Sequence, residues 1–90
     1  MKELTGLTNA ILTLKTKDEL DRLLVDLCTP SELKALKERW KVCQLLETGE
    51  LSYREIHEIT SASLTTIGRV ARFLKDEPNN GYRNLLKKIT

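Results

Sequence analysis

Residues 51–75, LSYREIHEITSASLTTIGRVARFLK, predict two short helices joined by a tight turn, with basic side chains along one face of the second helix. This is the pattern of a helix-turn-helix, a motif whose second helix enters the DNA major groove. The same spacing also fits a helical hairpin that only packs against its neighbours, and on the pattern alone that interpretation is the more common. Evidence from the rest of the chain is needed to choose between a DNA-binding motif and a hairpin that only packs.

The ends of both helices in this stretch are marked by capping residues. Ser52 and Glu55 form a capping box that opens a helix, the fourth of the chain, which ends near Ile59. Ser63 can cap the fifth helix. The apolar residues expected on the inner face of that helix are Leu64, Ile67, Val70 or Ala71, and Leu74.

The turn at residues 60–62 has no glycine. Motifs of this kind usually place glycine where the backbone must be left-handed, because a side chain disfavours that conformation. We therefore expect Ser61 or Ala62 to adopt it.

Three further helices precede the motif. An apolar seam of coiled-coil type is predicted for the first helix, formed by Leu4, Leu7, Ile11 and Leu14. A helix this short is marginal in water by itself, so it must lie on something. Thr16 with Glu19 opens a second helix, which runs to about Cys28. Its apolar face is Leu20, Leu23, Leu24 and Leu27.

The third helix has the strongest start signal of the chain. In residues 29–32, TPSE, Thr29 caps the helix, the proline occupies its first position and Glu32 completes a capping box. The helix should run to about Thr48 and stop at Gly49. Its apolar stripe is Leu33, Leu36, Trp40, Val42, Cys43 and Leu46.

No segment alternates apolar and polar residues as a strand does, so we expect an all-α fold with six helices in a single domain, residues 1–90. Residues 1–50 would be dimerisation scaffold, 51–75 the helix-turn-helix, and 76–90 a loop and a last helix from Tyr82. That last helix would pack Leu85, Leu86 and Ile89. Six short helices bury little each, and the leucine-rich faces favour an intertwined homodimer with interlocked N-terminal helices.

Charge, cysteine positions and hydropathy further restrict the partners and the compartment that we expect. Net charge is −1 over residues 1–51 and +3 over residues 52–90, so the second part could face phosphates. Cys28 and Cys43 fall on apolar stripes, where buried thiols are expected rather than a disulfide or a metal site. There is no signal segment and no apolar run near the roughly 20 residues of a membrane span. We expect a protein of the reduced cytoplasm with no membrane partner.

The outward residues of the fifth helix are Thr65, Thr66, Gly68, Arg69, Arg72, Phe73 and Lys75, and all of them except Phe73 are candidates for DNA contact. The two threonines lie in the first turn, where their hydroxyl and methyl groups could contact base edges. The glycine would let backbone or water approach a base closely. The three basic residues share one side and suit phosphates, and either arginine could also bind guanine.

Two more features could bind the DNA backbone. The N–H groups at Ser63, Leu64 and Thr65 begin the fifth helix, where the helix dipole favours a phosphate. The front of the fourth helix, which crosses the DNA backbone in this motif, is formed by Tyr53, Arg54 and His57. The alternative for each residue is a solvated helix face, and we expect His57 to be a plain surface residue.

Four short motifs follow one another in a specific order over roughly residues 20–75. They are Thr29-Pro30-Ser31-Glu32 with Ala35-Leu36 and Arg39, Leu45-Leu46-x-x-Gly49-Glu50-Leu51-Ser52-x-Arg54-Glu55, Ala62-x-x-x-Thr66-Ile67-x-Arg69, and Leu74-Lys75. Their order resembles that of the bacterial tryptophan repressor family, specifically its small branch of repressor-like proteins from Gram-positive bacteria. The resemblance implies an intertwined dimer whose paired fifth helices bind a palindromic operator in successive major grooves and repress transcription.

The resemblance also implies a site for a small-molecule effector. In the family, L-tryptophan binds between the third and fifth helices, sandwiched by two arginines that match Arg39 and Arg69, with a threonine that matches Thr29. Guanidinium groups stack on aromatic rings and pair with carboxylates. Here Val70 replaces a family glycine and Phe73 a family serine. We hypothesise that these two side chains act as a built-in ligand, making DNA binding independent of tryptophan or tuned to another small molecule.

Two other functions stay open. A weakly specific accessory or architectural DNA-binding protein is favoured slightly by the turn without glycine and by Gly68, where the family repressor has threonine. A helical protein-interaction module would instead dock an acidic partner on the fifth helix. An enzyme is not expected, because the chain has one histidine, no paired acid cluster and no glycine-rich phosphate loop.

Overall fold

The computed structural model describes residues 3–90, and the first two residues of the predicted dimerisation scaffold lie outside them. All regular secondary structure in the described residues is helical, so the all-α prediction is confirmed. The six helices found there are Leu7–Ile11 (α1), Lys17–Leu27 (α2), Pro30–Thr48 (α3), Tyr53–Thr60 (α4), Leu64–Lys75 (α5) and Gly81–Ile89 (α6).

The chain forms two compact units, one up to Leu33 and one over Lys34–Thr90, so the boundary lies inside α3. The functional division made from the sequence, with dimerisation in residues 1–50 and DNA binding in residues 51–75, stays a prediction. Among the residues that the structure describes, no helix is both long and apolar enough to cross a membrane.

Capping side chains begin the helices at the predicted positions. The Thr29 hydroxyl accepts the Glu32 N–H at 3.1 Å, and the Thr29 N–H donates to the Glu32 carboxylate at 2.8 Å. Ser52 and Glu55 exchange the same two bonds at 3.1 and 3.0 Å. These backbone hydrogen bonds to the carboxylates hold the pKa of both glutamates below its ordinary value. The caps of α2 and α5 are Thr16 and Ser63, also as predicted.

The predicted N-terminal seam is wrong in extent. α1 covers only five residues, and Leu4 lies before it with 97% of its surface exposed. Beyond its end the Thr13 hydroxyl donates to the Ala10 carbonyl at 2.7 Å, in a turn that precedes Leu14. Threonine side chains that bond nearby backbone carbonyls compete with helix continuation. A helix of five residues therefore cannot carry a continuous seam of four apolar side chains.

The first unit buries little by itself. No residue of α1 or α2 is buried. On α2 three residues of the predicted apolar face are half-buried and the fourth, Leu27, is 51% exposed; Val25, outside that face, is 65% exposed. Within residues 3–33 the first unit therefore has no buried core of its own.

The second unit holds the hydrophobic core. Its buried residues come from α3, α4, α5 and α6 and from the α4–α5 turn, and they are Val42, Cys43, Leu46, Ile56, Ala62, Ile67, Val70, Ala71, Leu74 and Leu86. The predicted inner face of α5 is confirmed apart from Leu64, which is 57% exposed because it begins the helix at the edge of the core. On α6 only Leu86 is buried, and the predicted packing of Leu85 and Ile89 is wrong.

An ion pair joins α6 to α3 at the edge of this core. Arg83 Nη1 lies 2.6 Å from Glu47 Oε2, and both side chains are about one third exposed. Ion pairs at such positions add modest stability but fix geometry. The pair therefore helps to hold α6 along α3, next to the buried Cys43.

The two cysteines differ in their surroundings, and neither forms a disulfide. The prediction of a buried thiol is confirmed for Cys43, whereas Cys28 is half-buried. Burial raises the pKa of the Cys43 thiol from 9.0 to about 11, and the negative charge of Glu47 adds to the rise. The thiol is therefore protonated at neutral pH and unreactive.

Cys43 should resist thiol reagents in the native protein. In a Cys28→Ala variant, labelling by a disulfide reagent at pH 8 should be at least about 100-fold slower in buffer than in urea, because the raised pKa lowers the thiolate fraction by about that factor. The rate of absorbance increase measures it, and the same variant in urea is the control. Equal rates in buffer and urea would show that the Cys43 side chain is open to solvent.

Candidate nucleic-acid interface

The turn between α4 and α5 is built without glycine. Ser61 adopts the left-handed conformation, with φ 64° and ψ 4°, and its N–H donates to the His57 carbonyl at 2.9 Å. This confirms the expectation that Ser61 or Ala62 would be the left-handed residue. Ala62, the next residue, is 2% exposed. The turn is therefore compact and packed against the core.

Side chains of α4 hold both polar groups of Ala62. Its N–H donates to the Thr60 hydroxyl at 3.1 Å, and its carbonyl lies 2.6 Å from His57 Nδ1. His57 lies at the surface, as predicted, but its ring is also bonded to the turn, which was not predicted. Nothing in the sequence signals this contact, because it depends on the turn bringing a carbonyl back over the end of α4.

The first turn of α5 presents a different set of atoms from the one predicted. The Ser63 hydroxyl accepts the Thr66 N–H and donates to the Thr66 hydroxyl, both at 3.0 Å. These two candidate DNA-contact residues therefore use their hydroxyl groups within the cap. The side chains of Leu64 and Thr65 point to solvent beside them. Sequence reasoning placed Leu64 inside, so its exposed side chain was missed as a surface feature.

The outer face of α5 carries positive charge next to an aromatic ring. The guanidinium carbons of Arg69 and Arg72 lie 4.4 and 5.1 Å from the centroid of the half-buried Phe73 ring. These are cation–π distances. Arg72 Nε also lies 3.4 Å from Glu77 Oε1, so part of its charge is balanced within the chain. Lys75 is exposed at the end of the same helix.

α4 places two more candidates at the surface. Arg54 is exposed, and Tyr53 has 43% of its surface in solvent. Both lie in the first turn of α4, which the Ser52 cap fixes. The structure thus holds them on a defined helix end rather than on a loop.

A cleft of about 450 Å³ adjoins the basic face of α5. It is lined by Arg39, Trp40, Arg69, Val70, Phe73, Asn79, Gly81, Tyr82 and Leu85. Four of the five predicted effector-site residues meet here, although one of them, Val70, is only 1% exposed. The fifth, Thr29, belongs to the first unit, where it caps α3.

Sequence reasoning missed the side of the cleft that α6 and its preceding loop provide. Asn80 adopts a left-handed conformation with φ 62°, which turns the chain into α6 and places Tyr82 at the cleft. Burial raises the pKa of the Tyr82 hydroxyl, and the positive charges of Arg39 and Arg69 oppose this rise. The Asn-Asn-Gly sequence signalled a loop before the last helix but not that this helix would line the cleft.

The side chains of the cleft and of the α4–α5 surface are suited to binding a ligand and DNA. Within residues 3–90 no group of three His, Cys, Asp or Glu side chains is placed to hold a metal ion. The cleft combines two guanidinium groups with three aromatic rings, a set that suits a small planar anion. The α4–α5 surface combines a basic face with an exposed first turn, a set that suits DNA.

Comparison with known proteins agrees with the motifs. The family profile described as Trp repressor protein matches residues 2–90. The uncharacterized protein YerC of Bacillus subtilis (strain 168) is 40% identical over 88 residues, which is 98% of this chain and 83% of YerC. A crystal structure of a TrpR-like protein from Eubacterium eligens has a TM-score of 0.85 and 37% identity, with 92% of this chain and 84% of that chain covered.

Gly68 is not required by the fold, and its replacement tests that statement. A Cβ atom at Gly68 would meet nothing within 4 Å, and the residue lies inside α5. We expect Gly68→Ala to raise the free energy of unfolding by about 1 kcal/mol, because alanine favours helix more than glycine does. Denaturation in urea measures the change.

The matched control is Gly49→Ala, where a Cβ would also meet open space but φ is +71°. There the same substitution should lower the free energy of unfolding by about 1 kcal/mol, since alanine disfavours the left-handed region. A destabilised Gly68→Ala variant would contradict the open surface at α5.

Proposed function

The chain belongs to the Trp repressor family, and from that premise we propose that it is a transcriptional regulator that binds a palindromic DNA operator as a homodimer. The family is one of regulators and not an enzyme class. The observation that carries the proposal is the division of α5 into two faces. Ile67 and Leu74 are buried, whereas Thr65 and Arg69 are exposed on the same helix.

The proposed contacts follow from what α4 and α5 expose. Leu64 and Thr65 begin α5, where an apolar group and a hydroxyl can meet a thymine methyl and a base edge. Gly68 leaves open space for a base or a water molecule. Backbone phosphates are the proposed partners of the basic residues on both helices and of one tyrosine, namely Tyr53, Arg54, Arg69, Arg72 and Lys75.

Ser63 and Thr66 have an indirect role in this proposal. Their hydroxyl groups bond each other and cap the helix. Both therefore fix the first turn of α5, and DNA contact would fall to the backbone N–H groups there. Preorganisation of this kind lowers the entropic cost of forming a specific complex.

The homodimer is proposed from the apolar surface that one chain leaves uncovered. Val25 and Leu27 of α2 are exposed, as are Leu85 and Ile89 of α6. A dimer with two-fold symmetry covers the same patch on both copies and presents two α5 helices to the two halves of a palindrome. A repressor would then act by occluding the operator.

Phe73 supports DNA binding without L-tryptophan. Its ring already lies 4.4 Å from the Arg69 guanidinium, a position that an aromatic ligand would otherwise take. The Val70 side chain is buried in the core, and a cleft of about 450 Å³ lies beside it. That volume is within the range of small-molecule sites, so an effector other than L-tryptophan fits the same proposal.

The first test is selection of bound sequences from a random duplex pool at near-physiological salt, with and without L-tryptophan. We expect one palindromic motif in both pools. A motif that appears only with L-tryptophan would contradict the role proposed for Phe73. No motif, together with a steep salt dependence, would instead indicate a weakly specific architectural protein. If no DNA is bound in either pool, the remaining alternative is a helical protein-interaction module.

Charge variants test which surface meets the DNA. Lys75→Ala should weaken binding to selected and random duplexes alike and reduce the salt slope by about 1, as expected for one phosphate contact. The control is Lys17→Ala, which removes one charge from an 89% exposed side chain on α2. Equal losses in both variants would contradict an interface centred on α5. Fluorescence anisotropy over a salt series measures the slopes.

Calorimetry with L-tryptophan tests the Phe73 arrangement. The wild-type protein should give no binding heat at micromolar ligand, because the Phe73 ring already occupies the stacking position on the Arg69 guanidinium. The double variant Val70→Gly with Phe73→Ser should bind indole compounds in the space it opens. Since glycine in a buried helix is destabilising, Phe73→Ser alone is the second variant, and it should bind more weakly than the double variant. Micromolar binding to the wild type would overturn the arrangement.

A further inference from the structure

We infer that His57 is a positioning residue for DNA binding: its imidazole holds the α4–α5 turn that sets the first turn of α5 in place. The inference rests on the proposed function, in which α5 is the recognition helix. It concerns the histidine itself, and the chain has only one.

The hydrogen bond defines the state of the imidazole. His57 Nδ1 lies 2.6 Å from the Ala62 carbonyl oxygen, and a carbonyl can only accept. Nδ1 must therefore carry hydrogen, whether the ring is neutral or protonated. When the ring is neutral, Nε2 has no hydrogen. The contact thus selects one tautomer of the side chain.

The same bond is part of a short network that fixes one residue from both sides. The Thr60 hydroxyl donates to the Ile56 carbonyl at 2.8 Å and accepts the Ala62 N–H at 3.1 Å. His57 binds the carbonyl on the other side of Ala62. Both peptide groups of this residue are thereby tied to α4, and its methyl group is buried.

The turn needs such restraint because of its sequence. Ser61 is left-handed, a conformation that costs free energy for any residue with a side chain. Glycine would adopt it freely. His57 offsets the disfavoured conformation with a hydrogen bond that exists only when the turn is closed.

The position of the first turn of α5 depends on this closure. Core packing fixes the helix from Ile67 onwards, but Leu64 is exposed at the edge of the core. Ser63, two residues after the left-handed position, caps the helix, which begins at Leu64. A change at Ala62 therefore moves the atoms that face the bases more than it moves the buried face. Specific contacts tolerate errors of only about 0.5 Å.

The state of the imidazole can be measured without DNA. Because the chain has one histidine, its ring signals in long-range ¹H–¹⁵N spectra need no assignment. We expect the Nδ1–H tautomer at a pH where the ring is neutral. The Nε2–H tautomer would overturn the inference whether or not the protein binds DNA.

Variants then separate positioning from stability alone. His57→Ala should weaken binding to the selected duplex about 10-fold, the loss of about one hydrogen bond's contribution. Its affinity for a random-sequence duplex should change less than about twofold, since phosphate contacts tolerate a shifted helix. His57→Asn is the conservative control. Its Nδ2 donor stands the same number of bonds from the backbone, so binding should stay within about threefold of wild type.

A double variant tests the coupling to the turn. Ser61→Gly removes the cost of the left-handed residue, so adding it to His57→Ala should recover most of the lost affinity. If the two substitutions weaken DNA binding additively in the double variant, His57 and Ser61 are not coupled. If His57→Ala loses as much affinity for the random duplex as for the selected one, His57 is not a positioning residue. If the wild type selects no sequence, the proposed function fails and this role in DNA binding fails with it. The tautomer result still separates that outcome from an absent hydrogen bond.

Discussion

Burial of one face of α5 is the constraint on which the second unit depends. Ile67, Val70, Ala71 and Leu74 are all buried, at the spacing of a single helical stripe. Because these side chains fix the rotation of the helix about its axis, they also decide which residues face outward. The positions of Arg69 and of the open surface at Gly68 follow from the core. A change that rotated α5 would alter the surface and the adjoining cleft together.

Local signals in the sequence were sufficient for most of the fold. Each cap is a contact between residues three apart, so the sequence contains both partners, and the starts of α2, α3, α4 and α5 were predictable. The inner stripe of α5 was predictable for the same reason, since periodicity is a property of the chain. At the ends of elements this reasoning failed. Leu64 and Ile89 continue their stripes in sequence but lie beyond the edge of the core.

The contacts that were missed join residues whose approach depends on backbone conformation. His57 meets the Ala62 carbonyl because Ser61 is left-handed, and Tyr82 lines the cleft because Asn80 is left-handed. A single φ value redirects the chain, and composition does not report it. The short N-terminal helix is a related case: the Leu4-to-Leu14 spacing fits a coiled coil, yet the Thr13 hydroxyl bonds a backbone carbonyl just past α1.

Arg69 connects the two surfaces of the second unit. It lines the cleft, stacks on Phe73 and lies on the outer face of α5. A guanidinium group stacked on a ring loses side-chain freedom, so its charge is held in place before any partner arrives. An external ligand would provide the same restraint only when bound. With Phe73 in the chain the restraint is present without a ligand, and any ligand of the cleft could then change DNA binding only by displacing that ring or by moving α6. The regulatory question for this protein is therefore whether the Phe73 ring stays on Arg69.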